Sequence, residues 1–169
     1  MARQKLSAAQ RERYRQQREA SFRALGRRIE DLLGQLPEEV QRRALMDAGL
    51  DILGRAMRRA PVDTGHLRES GWLEVNGVEM ARGQEDGSVS QAGAVPPTSQ
   101  ERASARITFN ATTEDGRWSY AVIQHERTDF EHPRGGEAKY LERSMDELAQ
   151  GFQQNLARVV QRLLQRSSR

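Results

Sequence analysis

The sequence predicts an α+β domain: long N- and C-terminal helices packed on a small antiparallel sheet, with an extended loop insert. Three observations carry this. Apolar residues recur at intervals of three and four through Val40, Ala44, Leu45, Ala48, Ile52, Leu53, Ala56 and Met57. They do so again through Leu141, Met145, Leu148, Phe152, Leu156, Val159, Leu163 and Leu164, the spacing of a helix with one buried face. Between these helices the period changes to two at Ala105, Ile107 and Phe109, and Asn76-Gly77 is a strong hairpin signal.

In chain order, residues 3–20 are rich in Arg, Gln and Glu with almost no apolar stripe, which suits a solvated helix or an extended arm. A first amphipathic helix is expected from Phe22 through Leu25, Ile29, Leu32, Leu33 and Leu36. Gly34 ends it, and Pro37 with Glu38 and Glu39 starts the next, since Pro fits the first helical position and acids complement the dipole. Pro61 stops that helix. Pro61 to Arg68 reads as a turn in which Asp63 or Thr64 caps the following N–H groups and Gly65 relaxes the sterics. Trp72, Leu73 and Val75 form a first strand and Val78 to Met80 its return. Residues 83–103 have no period and hold Gly, Ser, Pro and acids, so a flexible arm or insert is expected there. Trp118 to Ile123 reads as a strand, or a strand running into a short helix. A shaped polar loop follows, punctuated by Pro133, Gly135 and Gly136, and the last helix is expected from about Glu137 to Gln165, with Gly151 as a point of kinking or close packing.

At 169 residues the expectation is a basic extension over 1–21, one domain over 22–165 and a basic tail over 166–169. The charge is uneven: nine basic and two acidic residues lie between Met1 and Arg28, against nine basic and sixteen acidic between Pro61 and Asn155. Such a chain can meet an acidic partner, copies of itself, or nucleic acid. With no cysteine there is no disulfide frame and no thiolate chemistry. Apolar runs of only a few residues predict no membrane span, and the basic start lacks the apolar segment of a secretory signal, so a cytoplasmic product is expected.

Candidate sites concentrate in Tyr120 to Leu141. His125, His132 and the earlier His66 could supply a zinc hydrolase only by converging, and their spacing matches no compact ligand motif. Loop histidines bonded to carbonyls or carboxylates are the plainer reading, and Glu126, Asp129, Glu131 and Glu137 beside Arg127, Arg134 and Lys139 read as ion-paired surface. No catalytic residue, metal ligand or cofactor is assigned. Arg3, Lys5, Arg11, Arg13, Arg15 and Arg18 could contact phosphates or a protein partner, and phosphate contact would be steeply salt-dependent.

Two blocks resemble a known family. Ala60-Pro61-Val62-Asp63-Thr64-Gly65-His66-Leu67-Arg68-Glu69-Ser70 is similar to the APVDTGxLRxS signature of the tail-completion, or head–tail joining, proteins of tailed bacteriophages. Tyr120-Ala121-Val122 through Gln124-His125-Glu126, then His132-Pro133 and Gly135-Gly136-Glu137-Ala138-Lys139-Tyr140-Leu141-Glu142, resembles that family's second block. The resemblance covers roughly residues 40–150; the arginine-rich extension and the 83–103 insert depart from it. It implies a non-enzymatic virion component at the neck, made in the host cytoplasm, assembled as a homo-oligomeric ring and docked on adaptor, head-closure, tail-terminator or tail-tube proteins. Six copies would match the tail's symmetry in that family and are the expectation; twelve would match the portal. DNA contact in the channel stays open. The residues expected to set the subunit interface are Pro61, Asp63, Thr64, Gly65, Leu67, Tyr120, His125, Glu126, His132, Pro133, Gly135, Gly136, Lys139 and Leu141, with Leu141 as the anchor.

Overall fold

The computed structural model describes residues 36–62, 65–93, 103–113 and 119–167, with positions 27, 34, 98 and 116 besides; in the last helix side chains are described to 151 and at 154, 158 and 161. Apart from position 27, the expected helix over 22–33, the basic residues Arg3 to Arg18, the caps Asp63 and Thr64, Trp118 and most of 94–102 lie outside the described residues. The chain divides after Pro37, and the architecture is that of the second unit, Glu38–Arg169.

Helix α1, Glu38–Arg59, follows Pro37 and carries Glu38 and Glu39 in its first turn and Arg58 and Arg59 in its last, both favourable to the helix dipole. Pairs one turn apart, Glu38–Arg42, Glu39–Arg43 and Asp51–Arg55, brace it, each worth about 0.3–0.5 kcal/mol at such partly exposed sites. It ends at Arg59 because the residue before Pro61 is disfavoured in helical geometry. After α2, His66–Glu69, come β1 (Gly71–Val75), β2 (Val78–Gly83), β3 (Val89–Gln91) and β4 (Ala105–Phe109), an antiparallel sheet of order β3-β2-β1-β4. The expected hairpin closes at Asn76-Gly77, both with positive φ.

Leu73 faces Ala81 and Glu74 faces Glu79, so Met80 is the extra residue of a bulge. The bulge lets both Met80 and Ala81 turn inward, where they join Leu53, Met57, Leu73 and Val75 in a core between α1 and the sheet. Helix α1 touches all four strands. Helix α4, Tyr140–Ser167, packs chiefly on α1 and not on the sheet, which it meets near its start, where Tyr140 touches Phe109. Helix runs on through Gly151 without interruption.

Two expectations are corrected and a third is decided between its alternatives. The stretch from 83 does not begin as an unstructured arm: β2 runs to Gly83 and the chain turns through Gln84–Gly87. The turn closes with Gln84 N donating to Ser88 O (3.0 Å), and β3 returns along β2. A three-residue strand with one apolar residue leaves no period to read. Of the two readings offered for Trp118 to Ile123, the one that ends in a short helix fits: Tyr120–Glu126 is a helix, α3, and among the described residues Thr112 and Ser119 form an isolated bridge before it. Ser119 Oγ accepts from Val122 N at 3.3 Å, so an N-cap outweighs the strand preference of Val122 and Ile123. The last helix starts at Tyr140, because Lys139 sits at φ +60°.

A close fit locks α1 onto β1. A β-carbon added at Gly49 would lie 2.5 Å from Leu73 Cδ1, so the Leu73 methyls fill the groove that this glycine leaves. Leu73→Ala should cost about 2–5 kcal/mol in urea denaturation. In that background Gly49→Ala should recover stability, by filling the cavity and by a helix-propensity gain of about 1 kcal/mol; a further loss would contradict this packing.

Candidate functional site

The two signature blocks, some sixty residues apart in sequence, meet where the chain leaves α1. Val62 N donates to Gly135 O at 3.2 Å and Glu137 N donates to Arg59 O at 2.8 Å, so residues 135–137 run against 59–62 as a two-bond clasp. Between those bonds Gly136 lies on Pro61. A β-carbon at Gly136 would sit 2.4 Å from Pro61 Cα and 2.7 Å from Ala60 O, with φ at +94°. Only glycine fits, for sterics and for backbone conformation together.

The first block builds one side of this junction. Gly65, at φ +80°, begins α2 with no side-chain cap, and its carbonyl accepts from Arg68 N and Glu69 N. Leu67 is buried among Ala56, Ala60, Ala111, Ala121 and Tyr140. Arg68 donates back to Ala60 O from Nε and Nη2 (3.4 and 3.3 Å), and Ser70 Oγ donates to Leu67 O at 2.8 Å. Ser70 O in turn accepts from Asn110 N, so the turn is tied to the end of β4.

The second block builds the other side. Among the described residues Tyr140 is the largest fully buried side chain. Its ring stands edge-on to Phe109 and to His125, each at 5.0 Å between centroids, and its hydroxyl donates to Ala121 O at 3.3 Å. Burial pushes that hydroxyl far above its ordinary pKa, with the neighbouring Tyr120 adding to the effect, so it stays a donor. Lys139 N donates to His125 O at 2.9 Å, and its ammonium pairs with Glu126 and with Glu142 (3.3 Å). His125 Nδ1 lies 3.0 Å from Glu126 Oε1. Outside, Arg59 reaches Glu137 at 3.1 Å and Glu147, and Arg55 reaches Glu147 at 3.0 Å, joining α1 to α4. Those guanidinium bonds hold the Glu147 carboxyl below its usual pKa.

Of the residues singled out from sequence, Pro61, Gly65, Leu67, Tyr120, His125, Glu126, Gly135, Gly136, Lys139 and Leu141 all lie at or beside this junction. His132 contributes a carbonyl to Gly135 N (2.9 Å) and is half-buried, while Pro133 lies exposed on the loop. Leu141 is only partly buried, and the side chain that fills the core of the junction is its neighbour Tyr140. A lone tyrosine opening an apolar stripe was the available signal for it. Arg68 was marked by the first signature block, whereas Arg59 carried no signal beyond its place at a helix end. No group of three His, Asp or Glu side chains among the described residues could hold a metal ion. Between its two pinned ends the loop 127–134 is largely exposed, with Arg127 stacked 4.3 Å over the Phe130 ring and paired to Asp129. Compared with family models, curated proteins and solved structures, the chain matches none.

Two predictions test this geometry. Gly135 and Gly136 have nearly the same φ, yet a β-carbon at Gly135 would meet nothing within 4 Å. Gly135→Ala should therefore cost only the conformational penalty, about 1–2 kcal/mol. Gly136→Ala should add an overpacking cost of about 1–3 kcal/mol; equal melting temperatures for the two variants would contradict the clasp. The second concerns acid. Burial pulls the Glu126 carboxyl up, but hydrogen bonds from Lys139 and His125 outweigh it and leave its pKa below the usual glutamate value. A depressed carboxyl pKa contributes stability that is complete above the unfolded value of about 4.3 and is lost as pH falls through the lower folded value. Glu126→Gln should therefore lower the melting temperature slightly near neutral pH and have no effect at the acid end, a convergence that melts across pH would show.

Proposed function

We propose that this chain is a structural subunit of a tailed phage, part of the neck ring that joins the DNA-filled head to the tail. The observation that carries the reading is the clasp: the two blocks that resemble the head–tail joining family are held together backbone to backbone, with a glycine that admits no other residue. Rigid corners that present an exposed, internally paired loop suit a protein whose task is to hold neighbours in register. The loop tip, with Phe130 under Arg127, offers an apolar ring at low entropic cost to a partner surface. The uneven charge along the chain supports contacts between unlike surfaces of neighbouring subunits.

In a phage that carries this gene, its deletion should leave filled heads and separate tails in electron micrographs. Supplying the wild-type chain in trans should restore joined particles, and Gly136→Val should fail to. Normal titres from the deletion would end the proposal.

A further inference from the structure

We infer that copies of this chain join edge to edge through the sheet, β3 of one copy pairing with β4 of the next. The inference gives the proposed ring its joint, yet it is drawn from the sheet alone. In an antiparallel pair, alternate residues turn their N–H and C=O groups toward the partner strand and the rest turn them away. Asn76 N donates to Ser104 O and Asn110 N donates to Ser70 O, which fixes the phase on β4. Arg106 and Thr108 therefore bond to β1, while the N–H and C=O of Ala105 and Ile107 point outward. On the other edge, Gln84 pairs with Ser88 and Ala92 N donates to Met80 O, so Ser90 bonds to β2 and Val89 and Gln91 point outward. None of these four outward residues has a backbone partner among the described residues beyond the sheet itself.

Open edges are guarded in most proteins by shortness, charge, Pro or a bulge, and here the guard is partial: β3 is short and β4 carries one charge, but neither has Pro, Lys or a bulge. That charge is Arg106, and its side chain alternates away from the core face on which Ile107 lies. What identifies the occupant as a second copy is the geometry of the two edges. Every neighbouring pair in β3-β2-β1-β4 is antiparallel, so β3 and β4 run in opposite directions. A copy set beside the first in the same orientation then offers its β3 antiparallel to β4, with its α1 layer on the same side. The two edges also differ in charge. Exposed Glu85 and Asp86 lie in the turn leading to β3, and exposed Arg106 lies on β4, so opposite signs occupy opposite edges. An interface between unlike edges is heterologous, and it closes into a ring when the rotation per copy allows.

Two edge-blocked variants of the full chain test this. Ala105→Pro and Gln91→Pro each delete one outward N–H at the end of an edge strand, where proline is tolerated. By sedimentation velocity the wild type should form assemblies larger than dimers, and each variant should lose them with unchanged far-ultraviolet circular dichroism. Mixed together, the two variants should form a 1:1 dimer, because each retains the edge that the other lacks. A monomeric wild type, or dimers of Gln91→Pro alone, would overturn the inference. Full assembly of both variants would overturn it too, while leaving a ring with some other joint intact. Hydrogen exchange on the wild type gives an independent reading: the Ala105 and Ile107 amides should be protected in the assembly and lose that protection on dilution. Equal exchange in both states would also overturn the pairing.

Discussion

The approach of Gly136 to Pro61 is the constraint on which the rest of the unit depends. Two backbones in van der Waals contact, flanked by Val62 N to Gly135 O and Glu137 N to Arg59 O, fix the exit of α1 against the entry to α4. With those ends fixed, α4 starts beside the end of α1, and the two long helices pack together. The packing of α4 on α1 then follows from the corner as much as from the apolar stripes. Pro61 has a double part: it ends α1 at Arg59, two residues before it, and having no N–H it leaves no donor stranded under the glycine.

The polar groups around this corner divide by depth. Inside, Tyr140 is held by two aromatic edges and one hydrogen bond in a slot lined by alanines, and small residues at Ala56, Ala60, Ala111 and Ala121 make room for one large ring. Outside, Arg59, Arg55, Glu137 and Glu147 form an exposed network whose separate pairs are each worth little in water. Their arrangement matters more than their sum. Arg59 is the last residue of α1, and its side chain bonds both the loop strand at Glu137 and the helix at Glu147. It therefore ties the clasp to the helix pair.

The fold class and the place of the corner were legible in the sequence because long-period signals are robust: α1, the Asn76-Gly77 hairpin and β4 stand nearly where periodicity puts them. Short elements were not legible. Val89 is the one apolar residue of β3, and Tyr120–Ile123 has strand-like composition but is capped into a helix by Ser119. That Tyr140 rather than Leu141 fills the core of the corner shows a different limit. Apolar spacing marks a face, and two adjacent residues at the start of a helix share that face until its first turn is placed. Lys139 at φ +60° places it, rotating Tyr140 inward and leaving Leu141 partly exposed. That Gly136 was needed was readable, but what it touches was not, because the close approach is to a proline some seventy-five residues earlier.

The corner and the open sheet edge are not independent surfaces. Phe109 ends β4, and its ring meets the edge of Tyr140, the residue that anchors α4. Asn110 N then bonds Ser70 O in the first block, and Ala121 N bonds Ala111 O just beyond. A strand laid on β4 would therefore stiffen a segment that continues directly into both halves of the corner. The loop 127–134 is pinned to that corner at Gly135 and, through Arg127 N to Ile123 O, to α3. Pairing at the edge would thus reduce the conformations open to the loop before it meets any partner. In a ring built this way, a subunit with a neighbour on its β4 edge would bind the next component more tightly than a free subunit, since part of the ordering entropy has already been spent.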